Sequence, residues 1–354
     1  YIMYAWRNVS GKQQFGKYTG NASSTGPTVS LGFRPGLVMI KALDRDNSVW
    51  YVFDTSRQPF NDPTNYTDQY LLWNSSNAEY TNADDGKIEV TSTGFQIRAS
   101  VSGMNASGEE YIYAAWAGSY SDFITDVNTT GSITSRVKAN TTYGFSVVSY
   151  VGSGANATVG HSLGAAPSWI IVKNRDRSSN WHVWHNALAG TEFLELSSTA
   201  AKGTDAPSWN STVPTSTVFS VGTSNSTNAS GEDLIAYCWA EKSGYSKFGS
   251  YSGSSSEVTV DVGFNPAWVL IKNTSSAGFN WGIFDNTRNT DGTLDNPIYP
   301  NTSGAEETGY SNPPVTFDGN NIKVRGGDNG FNNTGQTYIY MAFADTRDAA
   351  FWLD

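Results

Sequence analysis

Histidine, cysteine and paired carboxylates are the side chains with which this chain could do chemistry, and each occurs in a pattern that argues against it. His182 and His185, in Trp181-His-Val-Trp-His185, are three residues apart. On a strand that spacing sends the two imidazoles to opposite faces, which is wrong for shared metal ligation. Two related segments, Trp50-Tyr-Val-Phe-Asp54 and Trp281-Gly-Ile-Phe-Asp285, carry aspartate where the middle one has His185. A metal site would therefore exist in one copy only, and neither metal nor cofactor is expected. Glu109/Glu110 and Glu232/Asp233 are carboxylate pairs of the kind glycoside hydrolysis uses, yet the corresponding third position reads Gln336-Thr337. Cys238 aligns with Ala115 and Ala342 and reads as a small buried side chain. With no Ser-His-Asp order, P-loop or CxxC pair present, the chain is not expected to be an enzyme.

Two further patterns admit a binding or structural role. Asp54/Arg57 and Asp285/Arg288 recur at one place and are expected to form a local ion pair or turn, a surface pair of this sort contributing at most about 1 kcal/mol. Trp50, Trp181 and Trp281 recur in register, as core residues must. The unshared Trp73 and Trp209 are the better candidates for an exposed platform on which surface glycans could stack. Sequons of the form Asn-x-Ser/Thr are dense, starting at Asn8, Asn21, Asn65, Asn74, Asn105, Asn128, Asn140, Asn156, Asn210, Asn225, Asn228, Asn273, Asn301 and Asn332. Tight-turn chemistry explains them without any sugar. A secreted, glycan-coated filament is the competing explanation.

The elements that hold these residues repeat. An aromatic strand occurs as Tyr1-Ile-Met-Tyr-Ala-Trp6, Tyr111-Ile-Tyr-Ala-Ala-Trp116, Leu234-Ile-Ala-Tyr-Cys-Trp239 and Tyr338-Ile-Tyr-Met-Ala-Phe343. Tight turns precede the last three: Asn105-Ala-Ser-Gly108, Asn228-Ala-Ser-Gly231 and Asn332-Asn-Thr-Gly335. A second block runs Gly32-Phe-Arg-Pro-Gly-Leu-Val-Met-Ile-Lys41, Gly164-Ala-Ala-Pro-Ser-Trp-Ile-Ile-Val-Lys173 and Gly263-Phe-Asn-Pro-Ala-Trp-Val-Leu-Ile-Lys272. Its prolines sit at strand entrances, where the missing N–H costs little, and the apolar run that follows fits a strand buried on both faces. The Trp50, Trp181 and Trp281 block alternates like a strand with one wet face. Self-similarity on this scale gives an all-β chain of three tandem jelly-roll or concanavalin-like β-sandwich modules. Their expected boundaries are 8–117, 118–240 and 241–345, with an extra strand at 1–7 and a tail at 346–354. A short helix is expected within Ala187–Lys202.

Composition sets the outer limits. The 354 residues carry a net charge of −10, with 38% hydrophobic and 14% aromatic residues, enough to build packed cores. The acidic balance offers no footprint for nucleic acid. No apolar run approaches the roughly 20 residues that span a bilayer. A single cysteine leaves packing, not disulfides, to hold the chain together.

The blocks Lys247-Phe-Gly-Ser-Tyr-Ser-Gly253, Gly263–Lys272 and Tyr338-Ile-Tyr-Met-Ala-Phe-Ala-Asp-Thr-Arg347 resemble a repeat domain of unassigned function found in structural proteins of tailed phages, cyanophages included. The second module departs most, with Gly152-Ser-Gly154 and Gly164-Ala-Ala-Pro167. The resemblance implies a concanavalin-like sandwich and a virion or appendage setting, and brings no catalytic residues. In such relatives a tail like Asp345-Thr-Arg-Asp-Ala-Ala-Phe-Trp-Leu-Asp354 leads into further sequence.

The expected role is a structural subunit of a virion fibre or an extracellular filament, stiff modules on short connectors, with other copies of the chain as partners. A glycan-binding adhesin is the alternative. Tyr1, Ile2, Met3, Tyr4, Ala5 and Trp6 repeat the strand that closes each module without a module of their own. Such a strand could be donated to a neighbour, giving a head-to-tail contact that does not close. Alternatively it pairs within its own chain or ends an upstream module.

Overall fold

The computed structural model describes residues 11–55, 57, 66–67, 69–81, 87–118, 126–286, 288, 294, 296–308, 313–328 and 330–345. Within them the strands all pair antiparallel into sheets, and helix is confined to single turns at Ser102–Asn105, Ala206–Trp209 and Asn225–Asn228. Three large sheets share one strand order. In each, a closing strand lies between an opening and an inner strand, and an outer strand follows. The first runs Gln13–Thr19, Glu110–Ala117, Pro35–Ala42, Tyr51–Asp54. The second runs Phe145–Val151, Asp233–Trp239, Trp169–Asn174, His182–His185, and the third Ser246–Ser252, Thr337–Ala344, Pro266–Asn273, Gly282–Asp285. The register repeats as well: Leu37 opposes Trp116, Trp169 opposes Trp239 and Trp268 opposes Phe343.

Each large sheet carries a smaller partner built from its own stretch of chain. These are Thr28–Ser30, Gly94–Ile97, Ile88–Thr91 and Tyr66–Thr67 for the first; Ala157–Gly160 and Val218–Val221 for the second; and Val258–Asp261, Asn321–Val324 and Val315–Asp318 for the third. The alternation of a strand lets one sheet serve two cores. On the closing strands, Tyr111, Tyr113 and Ala115 face the first unit's own core, and Tyr338, Tyr340 and Ala342 face the third's. The intervening Ile112 and Trp116, and Ile339, Met341 and Phe343, turn the other way into a cluster shared with the whole second unit.

This shared centre changes two expectations. The units are not beads on connectors, because one continuous apolar cluster runs through all three. The outer strands have no wet face: Tyr51–Asp54, His182–His185 and Gly282–Asp285 are buried throughout, since their second face lies against a neighbouring unit. The inner strands are buried on both faces, as their apolar runs imply; Pro35–Ala42 and Trp169–Asn174 are buried at every position. Ala187–Lys202 holds no helix. It contains the strand Glu192–Glu195, with Leu194 and Leu196 buried at the two-residue spacing of a strand.

Turn chemistry fixes the ends of the sheets. A Cβ on Gly20, Gly152 or Gly253 would lie 2.1 Å from the carbonyl oxygen of Ala106, Ala229 or Asn333 respectively. These glycines let the exit of each opening strand touch the turn that leads into its closing strand. Gly152 thus keeps the shared role despite the altered sequence around it. Asn105, Asn228 and Asn332 stitch the same place. The Asn228 amide donates to Ala155 O and Gly222 O, both at 2.6 Å, while its Oδ1 accepts from Ser153 N at 2.7 Å. Asn105 donates to Ser23 O and Ala99 O, and Asn332 to Ser256 O and Val324 O.

Candidate functional site: the seams around the shared centre

The sequence repeats, but the contacts between units do not all repeat with it. Trp181 Nε1 of the second unit donates to Leu72 O of the first at 2.9 Å. Trp281 Nε1 of the third donates to Glu195 O of the second at 3.0 Å. Backbone bonds accompany them in register: Ser179 N to Ser76 O and Gly278 N to Thr199 O, then Glu79 N to Arg175 O and Lys202 N to Thr274 O. Where the third unit meets the first, Trp50 holds the corresponding place, and its buried Nε1 has no acceptor. The described residues join these two units by a bond from Ala305 N to Asp46 Oδ1, at 3.3 Å.

Where the three units meet, the fold encloses a cavity of about 60 Å³. Its walls include Trp50, Trp73, Ala114 and Trp116 of the first unit, Ile171, Leu196 and Trp239 of the second, and Ile283, Ile298 and Met341 of the third. The indole nitrogens of Trp50, Trp73, Trp116 and Trp239, all on its lining, lack hydrogen-bond acceptors. This is room for a side chain or a few water molecules, without the convergent polar groups of a substrate pocket. At one position of the closing strands stand Ala114, Tyr237 and Met341; Ala114 and Met341 both line the cavity, while the Tyr237 hydroxyl donates to Asp54 across the first seam.

Charged groups expected at the surface lie inside. Asp54/Arg57 and Asp285/Arg288 are buried pairs, which corrects their reading as surface contacts. Arg57 also binds Glu79 and donates to Val52 O at 2.7 Å. Glu79 reaches Arg175 of the second unit at 2.7 Å, and Asp54 Oδ2 accepts the Tyr237 hydroxyl at 2.7 Å. Burial would lower Arg57, but the charges of Asp54 and Glu79 outweigh it and hold the guanidinium's pKa above its ordinary value. In the third unit Arg288 binds Asp285 at 2.7 Å and Glu306 at 2.5 Å.

Sequence inspection missed the buried lysines. Lys41, Lys173 and Lys272 stand last but one in the three inner strands and are almost wholly enclosed. Lys41 donates to Ser48 Oγ at 2.8 Å, Lys173 to Asn174 O at 2.7 Å and Lys272 to Phe279 O at 2.6 Å. Burial lowers each of them to about 8. Their recurrence after each apolar run was the signal available.

The remaining candidates fall into place as follows. The imidazoles of His182 and His185 do not meet: His182 stacks on Phe193 at 4.6 Å, while His185 Nε2 lies 3.2 Å from Tyr340 O of the third unit. His185 Nδ1 accepts from Ala187 N at 3.0 Å, so Nε2 carries the proton. Burial pushes its pKa down to about 4. Glu109 pairs with Arg45, Glu110 with Lys17, Glu232 with Arg177 and Asp233 with Arg175. Cys238 is buried, and burial raises its thiol pKa. Trp73 and Trp209, expected to be exposed, are buried; Trp73 sits edge-on to Trp181 across the first seam, 6.3 Å between ring centres.

Among the sequons, Asn105, Asn228, Asn273 and Asn332 are fully enclosed. Their side-chain nitrogens donate hydrogen bonds within the fold, so the folded chain leaves no room for a glycan there. Asn21, Asn156 and Asn225 are exposed, and Asn74, Asn128, Asn140, Asn210 and Asn301 are partly exposed. Asn8, Asn65 and the segment Tyr1–Trp6 lie outside the described residues, as does the tail 346–354.

These features define an all-β protein of layered antiparallel sheets, with its unusual chemistry buried between units and not in a cleft. The chain belongs to the family described as "Domain of unknown function (DUF7483)", whose model matches residues 1–119 and 123–347. No curated protein matches. Among solved structures it is similar to one described as "The Triple Jelly Roll Fold and Turret Assembly in an Archaeal Virus", at 11% identity over 94% of this chain and 89% of that one. The TM-score is 0.14, and a likeness at that level carries no argument about fold or role.

Proposed function

We propose that the chain is a structural subunit of a fibre or extracellular filament; a virion or its appendage is the setting that the sequence resemblance implies. The observation that carries this reading is where the chemistry-bearing side chains have gone. The histidines, the cysteine, the inner-strand lysines and the repeated Asp–Arg pairs are enclosed, most of them holding one unit together or tying it to the next. Cross-seam bonds such as Tyr237 to Asp54 and His185 to Tyr340 O favour a block that keeps its shape under load. Partners on this reading are further copies of the same chain. Head-to-tail donation of residues 1–6 is one route to joining them, and contacts between exposed loops are another.

The adhesin reading loses its two aromatic candidates, since Trp73 and Trp209 are buried. Electron microscopy of the native assembly tests the structural proposal. The expected image is a filament or appendage with density of this size at regular spacing; a freely dispersed protein overturns it. A glycan array is the second test, and reproducible binding to a defined sugar would replace the scaffold with an adhesin.

A further inference from the structure

We propose that the cavity where the three units meet is a dry binding site for one small nonpolar molecule of about three heavy atoms or fewer, a short hydrocarbon or its halogenated relative, with xenon as the natural probe. This inference stands whether or not the chain builds a fibre.

Three observations carry it. The described residues that line the space are all tryptophan, methionine, isoleucine, leucine, phenylalanine or alanine, apart from Tyr113, whose side chain belongs to the first unit's own core. The polar atoms on the lining do not open onto it. Four of its five indole nitrogens, those of Trp50, Trp73, Trp116 and Trp239, are closed even to a water-sized contact. A water molecule inside would need two to four polar partners to replace those of bulk solvent, whereas a nonpolar guest gives up no hydrogen bond on entering. Size sets the third condition. At about 60 Å³ the cavity has less than half of the roughly 150 Å³ in which an apolar cavity takes benzene, so a xenon atom or a chain of two or three carbons fits and an aromatic ring does not.

The walls also supply the attraction. Side chains around a void lose dispersion contacts on that side, and a guest restores them. The thioethers of Met39 and Met341 and the faces of the indoles are polarisable surfaces for such contacts. Because Trp50, Ile171 and Met341 come from three different units, the site is complete only while the units are packed together. A guest therefore binds the folded chain alone and stabilises that packing by mass action. Ala114 keeps the space open on the first unit's side, where the equivalent positions of the other units carry Tyr237 and Met341.

The test combines crystals of the full chain, with and without xenon pressure, and melting curves under the same gas. Expected is one xenon atom in contact with Trp50, Ile171 and Met341, in a space without ordered water when xenon is absent. Ordered water there, or no xenon, overturns the proposal. The melting temperature of the parent chain should rise with xenon pressure, and that rise should shrink by at least half in Ala114→Met, where a longer side chain fills the cavity from within; a smaller reduction overturns the proposal. Benzene supplies the size control. It should leave the melting temperature of the parent unchanged and raise that of Met341→Ala, which enlarges the same cavity. Stabilisation of the parent by benzene overturns the size limit, and Ala114→Met keeps the test decisive if Met341→Ala fails to fold.

Discussion

Raising the pH from 8 to about 9.5 should make this protein more stable, against the usual trend. Lys272 illustrates why. Its ammonium group is enclosed, donates to Phe279 O at 2.6 Å and lies 5.8 Å from the centre of the Trp281 ring. Burial lowers its pKa from 10.5 to about 8. Between those two values the unfolded chain holds a proton that the folded chain has released, so protons favour unfolding and stability rises with pH. Over the whole interval from 8 to 10.5 the difference corresponds to roughly 3 kcal/mol, of which about 2 kcal/mol accrues by about pH 9.5 at a slope of up to about 1.4 kcal/mol per pH unit. Lys41 and Lys173 act in the same direction. Above about pH 10 the trend reverses. Tyr18, Tyr150, Tyr237 and Tyr251 are raised well above their ordinary value by burial, so the unfolded chain ionises first. Urea midpoints at pH 7.5, 8.5 and 9.5 measure the effect in the parent chain and in Lys272→Met, which keeps much of the side chain's volume. The variant should lose about a third of the slope. A flat or falling profile over this range, or an unchanged slope in the variant, would refute the placement of these lysines.

Four more outcomes follow from the geometry. Trp181→Phe should cost about 1 kcal/mol more than Trp50→Phe in chemical denaturation, because Trp181 donates across its seam while Trp50 has no acceptor; equal costs would mean that the seams are alike. Asn228→Ala should lose about 2–4 kcal/mol in chemical denaturation by stranding the buried partners of its amide. His185, held near 4 by burial, contributes stability above pH 6.5 that is lost as the pH falls through 4, by up to about 3 kcal/mol; the acid limb of a pH–stability curve should flatten in a His185→Asn variant. Arg57→Met removes the buried cation beside Asp54, while Glu79 keeps Arg175, and should cost about 3–5 kcal/mol in thermal or chemical unfolding, well above the effect of Lys17→Met at a more exposed pair.

What the sequence determined by itself was local and periodic. Alternation along Tyr111–Trp116 and its copies fixes strands, the Asn-x-Ser/Thr-Gly turns fix their entrances, and recurrence in register marks Trp50, Trp181 and Trp281 as core. These follow from backbone geometry and side-chain type, which each stretch carries without reference to the rest. Which face of a strand meets water was not legible, because that depends on what packs against it from another part of the chain. Asp54 and Arg57 looked like a surface pair, and Trp73 and Trp209 like an exposed platform, because a single sandwich would leave those positions wet. Packing the three sheets around one centre buries Asp54, Arg57 and Trp73, while Trp209 is enclosed by strands and turns of its own unit. The fate of the repeats was likewise hidden in a single substitution. Ala114 stands where the second unit has Tyr237; the alanine lines the central cavity while the tyrosine donates a hydrogen bond across a seam, and only the tertiary structure brings the two positions into comparison.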